Sequence, residues 1–129
     1  MSIPGGAGAI LSTPTDLVKF IEALFAGKLI SAEHLDLMKT QKEHYGMAMF
    51  ESNFGDKKGF GHNGGIDLFT SILTYFPDDK LAVAYCSNGD LYGTNKVRDD
   101  ALHIYFNDPF TLPEFTTITL KTEDLDKYL

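Results

Sequence analysis

The chain has a single cysteine, a single arginine and no apolar run long enough to cross a membrane. Cys86 alone excludes an internal disulfide framework. It lies in the apolar run 81–86, where a small buried hydrophobe is the expected reading. Arg98 is the lone arginine, and 11 basic side chains stand against 18 acidic ones, a net charge of −7. Nucleic-acid binding needs clustered Lys and Arg to displace counterions, and so does binding to anionic membranes. Neither partner fits this charge. No stretch approaches about 18 apolar residues, so no transmembrane segment is expected. The opening Met1-Ser2-Ile3-Pro4-Gly5-Gly6 has neither the basic region nor the apolar region of a signal peptide. There is no internal repeat of 20–50 residues and no low-complexity block.

What is present suffices for one folded unit. Leu, Ile, Val and Phe supply 36 of 129 residues, above the ~20% below which disorder is the default. A helix is signalled by Thr13 as N-cap, Pro14 at the first position and Asp16 in the first turn. Leu17, Phe20, Ile21, Leu24 and Phe25 form its apolar stripe, and Gly27 ends it. Ser31 caps a second, shorter helix that Ile30 can staple onto Leu35, with Leu35 and Met38 on its buried side. Residues 45–50 read as a short strand and 51–59 as a loop. Residues 69–76 are rich in β-branched and aromatic side chains, and 81–86 are apolar on both faces. The Pro77-Asp78-Asp79 turn between those two runs makes them an antiparallel hairpin, with 81–86 a covered strand. A third helix fits 94–106, with Val97, Ala101, Ile104 and Tyr105 on its inner face. The tail offers a strand at 115–120 and a capped turn at 122–128. Helices, then strands, then a helix give an α+β fold. It holds a partial antiparallel sheet of about three to four strands, flanked by helices.

Two chemical readings fail on spacing. Gly59-Phe60-Gly61-His62-Asn63-Gly64 spells G-x-G-x-x-G, with Asp79 twenty residues after Gly59. A dinucleotide site needs a strand before that motif and a helix after it, because the helix N-terminus holds the pyrophosphate. Here a polar loop precedes and a β-rich run follows. His34, His44, His62, His103 and Cys86 share no short ligand spacing, so no metal and no cofactor is expected.

The informative segment is Gly61-His62-Asn63-Gly64-Gly65-Ile66-Asp67, running into Phe69-Thr70-Ser71. Closely spaced glycines let a ligand approach the backbone, and a histidine beside free N–H groups can stabilise an oxyanion. The same residues also suit a glycine-rich bulge carrying a surface histidine.

His62-Asn63-Gly64 followed by Gly65-Ile66-Asp67-x-Phe69 resembles the H-x-G motif of the serine β-lactamase and penicillin-binding-protein superfamily, the counterpart of K-T-G in other members. The stretch from Gly6 through Ser12-Thr13-Pro14-Thr15-Asp16-Leu17 is similar to the G-G-x-x-S-T-x-x-D-L segment of class C-like members. Tyr45-Gly46-Met47 resembles the Tyr-Gly strand before H-x-G, and residues 81–89 the following strand that ends Ser/Thr-Asn-Gly. These matches cover roughly residues 5–106 in the family's order.

There are two departures. Leu68 stands where the family commonly has glycine, so the turn after the motif is expected to differ. The nucleophile is missing: none of Ser2, Ser12, Ser31, Ser52, Ser71 and Ser87 heads an S-x-x-K, nor does any threonine. Tyr105-Phe106-Asn107 spells Y-x-N, but it follows H-x-G instead of preceding it, and Tyr105 is expected in the core.

The resemblance implies that residues 1–110 are the C-terminal part of a β-lactamase-like domain, with 111–129 a tail toward a possible further domain. It implies a parent serine hydrolase of amide or ester bonds, such as a D-alanyl-D-alanine carboxypeptidase, an esterase or a β-lactamase. Histidine in place of lysine leans away from a dedicated β-lactamase. His62 would face the serine across the cleft, and the Gly65 N–H would supply half of an oxyanion hole. His62, Asn63 and Gly64 would line the site for a small-molecule or peptide substrate. The parent would be extracytoplasmic, in the periplasm or cell envelope. This chain alone is expected to be inactive. The alternative is a binding or assembly module that uses the fold without chemistry. The strand at 81–86 is expected to be covered by the tail or to pair edge to edge in a homodimer.

Overall fold

The computed structural model describes residues 5–89 and 92–114. A single 3₁₀ turn, Gly5–Ala7, precedes the first helix. Helix α1 spans Pro14–Phe25 and starts as the sequence predicts. The Thr13 hydroxyl accepts from the Asp16 N–H at 3.2 Å and donates to the Asp16 carboxylate at 3.1 Å. The helix closes where Gly27 takes φ +70°, and the Gly27 and Lys28 N–H groups return to Leu24 and Ala23 carbonyls. Ile21 and Leu24 are buried, whereas Phe20 is half exposed, so the apolar stripe is narrower than its spacing suggests. Helix α2, Ala32–Lys39, is capped by Ser31, whose hydroxyl accepts from the His34 N–H at 3.3 Å. Its Leu35 joins Leu24 and Met49 in a core cluster ringed by Phe25, Ile30, Met38 and Phe60.

Four strands follow: β1 (Phe50–Glu51), β2 (Phe60–Ile66), β3 (Phe69–Phe76) and β4 (Leu81–Ser87). They form one antiparallel sheet in chain order, β1-β2-β3-β4. Along β3, Ile72, Thr74 and Phe76 are buried on one face. Tyr75 lies on the other face, where the Phe25 ring of α1 packs 4.5 Å away, centroid to centroid. Helix α3, Thr94–Tyr105, covers the first face. So α1 and α3 sandwich the sheet. No helix among the described residues is long and apolar enough to cross a membrane.

The structure corrects four expectations. Residues 45–49 are not a strand: Tyr45 closes a tight turn with Lys42, and only Phe50 and Glu51 pair with β2. No described strand lies alongside 45–49 to complete a ladder, and Ala48 sits at φ +55°. Cys86 is exposed. It pairs with Ser71, four residues along β3 from the Tyr75 that Phe25 covers. β4 is only half-buried, so its two apolar faces are less covered than expected, and its outer edge has no partner among the described residues. On α3, Ile104 and Tyr105 are 61% and 62% exposed, while Arg98 and Leu102 face inward. Apolar spacing misleads there because one of the two buried positions, four residues apart, holds an arginine. The expected strand at 115–120 and turn at 122–128 lie outside the described residues.

Candidate functional site

The H-x-G segment is part of β2 itself, so G-x-G-x-x-G runs along a strand and opens no helix. Asp79, the would-be ribose ligand, is engaged by Lys57 at 2.9 Å, and that hydrogen bond holds the Lys57 ammonium above its usual pKa range. Among the described residues no three His, Cys, Asp or Glu side chains gather as a metal site would require.

The free edge of β2 follows from the turn at its end. Ile66 and Phe69 close a two-residue hairpin over Asp67 and Leu68. Their φ values of +49° and +68° put both residues in the left-handed region that a type I′ turn requires, built here without the glycine such turns favour. In such a hairpin the closing pair exchanges both hydrogen bonds, and bonded and non-bonded pairs alternate from there. Ile66, Gly64 and His62 therefore direct their backbone groups at β3. Gly65 and Asn63 direct theirs the opposite way. β1 reaches only Phe60 and Gly61, so no described strand meets the outward N–H and C=O of Asn63 and Gly65.

The glycines of this strand differ in kind. A Cβ on Gly61 would lie 1.9 Å from the Leu73 carbonyl oxygen, so Gly61 serves close strand packing. A Cβ on Gly64 would lie 2.7 Å from Ser71 Oγ, which leans across it. A Cβ on Gly65 would meet nothing within 4 Å, so the strand face there is open. The Gly65 N–H itself points away from β3 and meets no described strand.

His62 is exposed and held from two sides. Its Nδ1 meets the Asn63 carbonyl oxygen, which can only accept. Nδ1 therefore carries the proton, and in the neutral ring Nε2 accepts from the Tyr45 hydroxyl at 2.5 Å. The Tyr45 ring stands edge-on at 5.8 Å and the Phe50 ring lies at 5.2 Å. His62, Asn63, Gly64 and Gly65 are thus consecutive along one free edge. Tyr45 was not legible as a member of this group. Tyr105 is on α3, across the sheet from His62, and the Y-x-N ends with Asn107 at φ +57° just past the helix.

The α+β fold with its antiparallel sheet is that of the serine β-lactamase and penicillin-binding-protein superfamily. The Beta-lactamase family model matches residues 1–105, and the chain belongs to that family. Among solved structures it is similar to a D-amino acid amidase from Ochrobactrum anthropi SV3 at 27% identity and TM-score 0.65, over 74% of this chain and 33% of that one. A D-stereospecific amidohydrolase from Streptomyces sp. matches at 26% identity and TM-score 0.54, over 64% of this chain and 27% of that one. An octameric penicillin-binding protein homologue from Pyrococcus abyssi shares the fold at 24% identity and TM-score 0.61, over 73% of this chain and 24% of that one. No curated protein sequence matches significantly. The chain spans about a third or less of the length of these structures.

Proposed function

We propose that this chain contributes the β2-edge half of the active site of a longer serine hydrolase that cleaves amide or ester bonds. The observation that carries the reading is the Gly65 N–H, which points away from β3 on the same stretch of β2 as His62 and meets no described strand. A substrate carbonyl placed there has one oxyanion donor ready. His62 and Asn63 flank the position a substrate carboxylate or acyl chain would take. The nucleophile is a serine of an S-x-x-K in a segment N-terminal to these residues. Its oxygen attacks the carbonyl carbon, its proton passes to the neighbouring base, and the amine or alcohol leaves. The relatives named as a D-amino acid amidase and a D-stereospecific amidohydrolase favour amide substrates built on D-amino acids. Residues 1–110 are then the C-terminal part of the catalytic domain and 111–129 lead onward from it. The parent works outside the cytoplasm. The outer edge of β4 is a place where two copies would pair.

The test compares the 129-residue chain with the longer encoded polypeptide on D-phenylalanine amide and p-nitrophenyl esters. The longer protein turns substrate over, and the chain alone does not. Gly65→Pro in the longer protein removes one outward N–H without touching the β2–β3 ladder, and lowers kcat by about 10²–10³. Saturable turnover by the isolated chain, or an upstream sequence without S-x-x-K, overturns the proposal. The second of these outcomes favours a non-catalytic binding or assembly module.

A further inference from the structure

We infer that Tyr45 is a positioning residue of the β2-edge site, whose hydroxyl donates to Nε2 and fixes His62 as the Nδ1–H tautomer. The argument begins with the chain's path into the site. Tyr45 and His62 are 17 residues apart. What brings them together is the turn Lys42–Tyr45, closed by hydrogen bonds of 2.9 and 3.0 Å between the two end residues. Both central residues, Glu43 and His44, sit in the left-handed region at φ +51° and +70°. Neither is glycine, and L side chains rarely adopt that conformation. Gly46 then passes so close to α2 that a Cβ would lie 2.1 Å from the Met38 carbonyl oxygen. The Met47 N–H donates to that same carbonyl at 3.2 Å. A strained turn and a crowded glycine together hold one tyrosine over one histidine.

The chemistry follows from proton counting. The Asn63 carbonyl takes the Nδ1 proton, so a neutral His62 has only a lone pair at Nε2. The Tyr45 hydroxyl is the donor that satisfies it. A substrate carbonyl or carboxylate arriving at the edge meets a ring already fixed in angle and tautomer, and a hydroxyl already polarised by it. Ring orientation and tautomer are what an outer partner of a functional histidine sets. The importance of this pair for catalysis rests on the proposed hydrolase site. The tautomer does not, because it belongs to this chain alone.

The test is two-bond ¹⁵N–¹H correlation of the imidazoles in the ¹⁵N-histidine-labelled 129-residue chain, at alkaline pH where imidazoles are neutral. His62 gives the Nδ1–H pattern. Tyr45→Phe keeps the ring and removes the hydroxyl, and the Nδ1–H to Nε2–H ratio of His62 falls about fivefold. An Nε2–H pattern in the unsubstituted chain overturns the inference, and this arm needs no variant to fold. An unchanged ratio in a folded Tyr45→Phe chain overturns it as well. In the longer hydrolase, Tyr45→Phe lowers kcat/KM about tenfold while the amide spectrum is preserved. A shifted tautomer with unchanged kcat/KM removes Tyr45 from the positioning role. If the unsubstituted longer protein is inactive, the hydrolase reading fails and the tautomer arms still decide the Tyr45–His62 contact.

Discussion

Arg98, on α3, donates from Nη1 to the Ser52 hydroxyl in the loop after β1, and Ser52 shares a 2.9 Å hydrogen bond with Thr74 of β3. All three side chains are buried. The guanidinium also binds the Asp99 carboxylate at 2.6 Å. One arginine thus ties the helix to the loop and the sheet. Arg98→Ala leaves the Ser52–Thr74 pair but removes a charge-assisted bond and its packing, and is expected to cost about 1.5–3 kcal/mol in urea unfolding.

The two glycines on either side of the His62-Asn63-Gly64 run respond oppositely. Gly61→Ala drives a methyl into the Leu73 carbonyl and is expected to destabilise by about 2 kcal/mol or more. Gly65→Ala meets open space and changes stability by less than about 1 kcal/mol. Chemical denaturation of both variants reads the contrast.

Leu68 holds φ +68° at the tip of the β2–β3 hairpin with 78% of its surface exposed. A leucine gains nothing there by packing and bears the left-handed penalty. Leu68→Gly is expected to raise stability by about 0.5–1 kcal/mol, visible as a higher Tm.

The Asp100 carboxyl is held below its ordinary range by the Tyr92 hydroxyl at 2.7 Å and then by Lys96 at 3.3 Å. A depressed folded value means the contribution is present above the unfolded value, near 3.8, and is lost as pH falls through the folded one. Asp100→Asn is therefore expected to be less stable than the unsubstituted chain at pH 7, and the two are expected to converge below about pH 4. Paired unfolding curves at both pH values check the sign.

Cys86 is exposed on β4. In the folded chain it is expected to react with a disulfide reagent at a rate approaching that of the unfolded chain, and thiol titration with and without urea measures the ratio.

Much of the fold was legible because local chemistry and tertiary structure agree. Thr13, Asp16 and Gly27 bound α1 as their side chains and backbone preferences require. Residues 69–76 form β3 over the span that their β-branched and aromatic content marks. The reading failed where a tertiary contact reversed a residue's usual place. Arg98 is buried because Ser52 and Asp99 receive it, and with Arg98 and Leu102 facing inward Ile104 falls on the outer side of α3. Cys86 is exposed although its run is apolar, because β4 lies at the edge of the sheet among the described residues. The edge run from His62 to Gly65 was legible from its glycines. Tyr45 was not, because nothing in the sequence reveals that two non-glycine residues at positive φ turn the chain back over His62.

The order of strands in the sheet is also their order along the chain. The β2–β3 ladder closes over two residues, and the β3–β4 ladder over the four from Pro77 to Lys80. Each pairing needs little loop entropy and can zip from its own turn, which is the low-contact-order route to fast sheet formation. The strand bearing His62 is therefore set in register by its immediate neighbours in sequence. A ladder that zips from this tip starts at Asp67 and Leu68, where aspartate suits the left-handed turn and leucine does not.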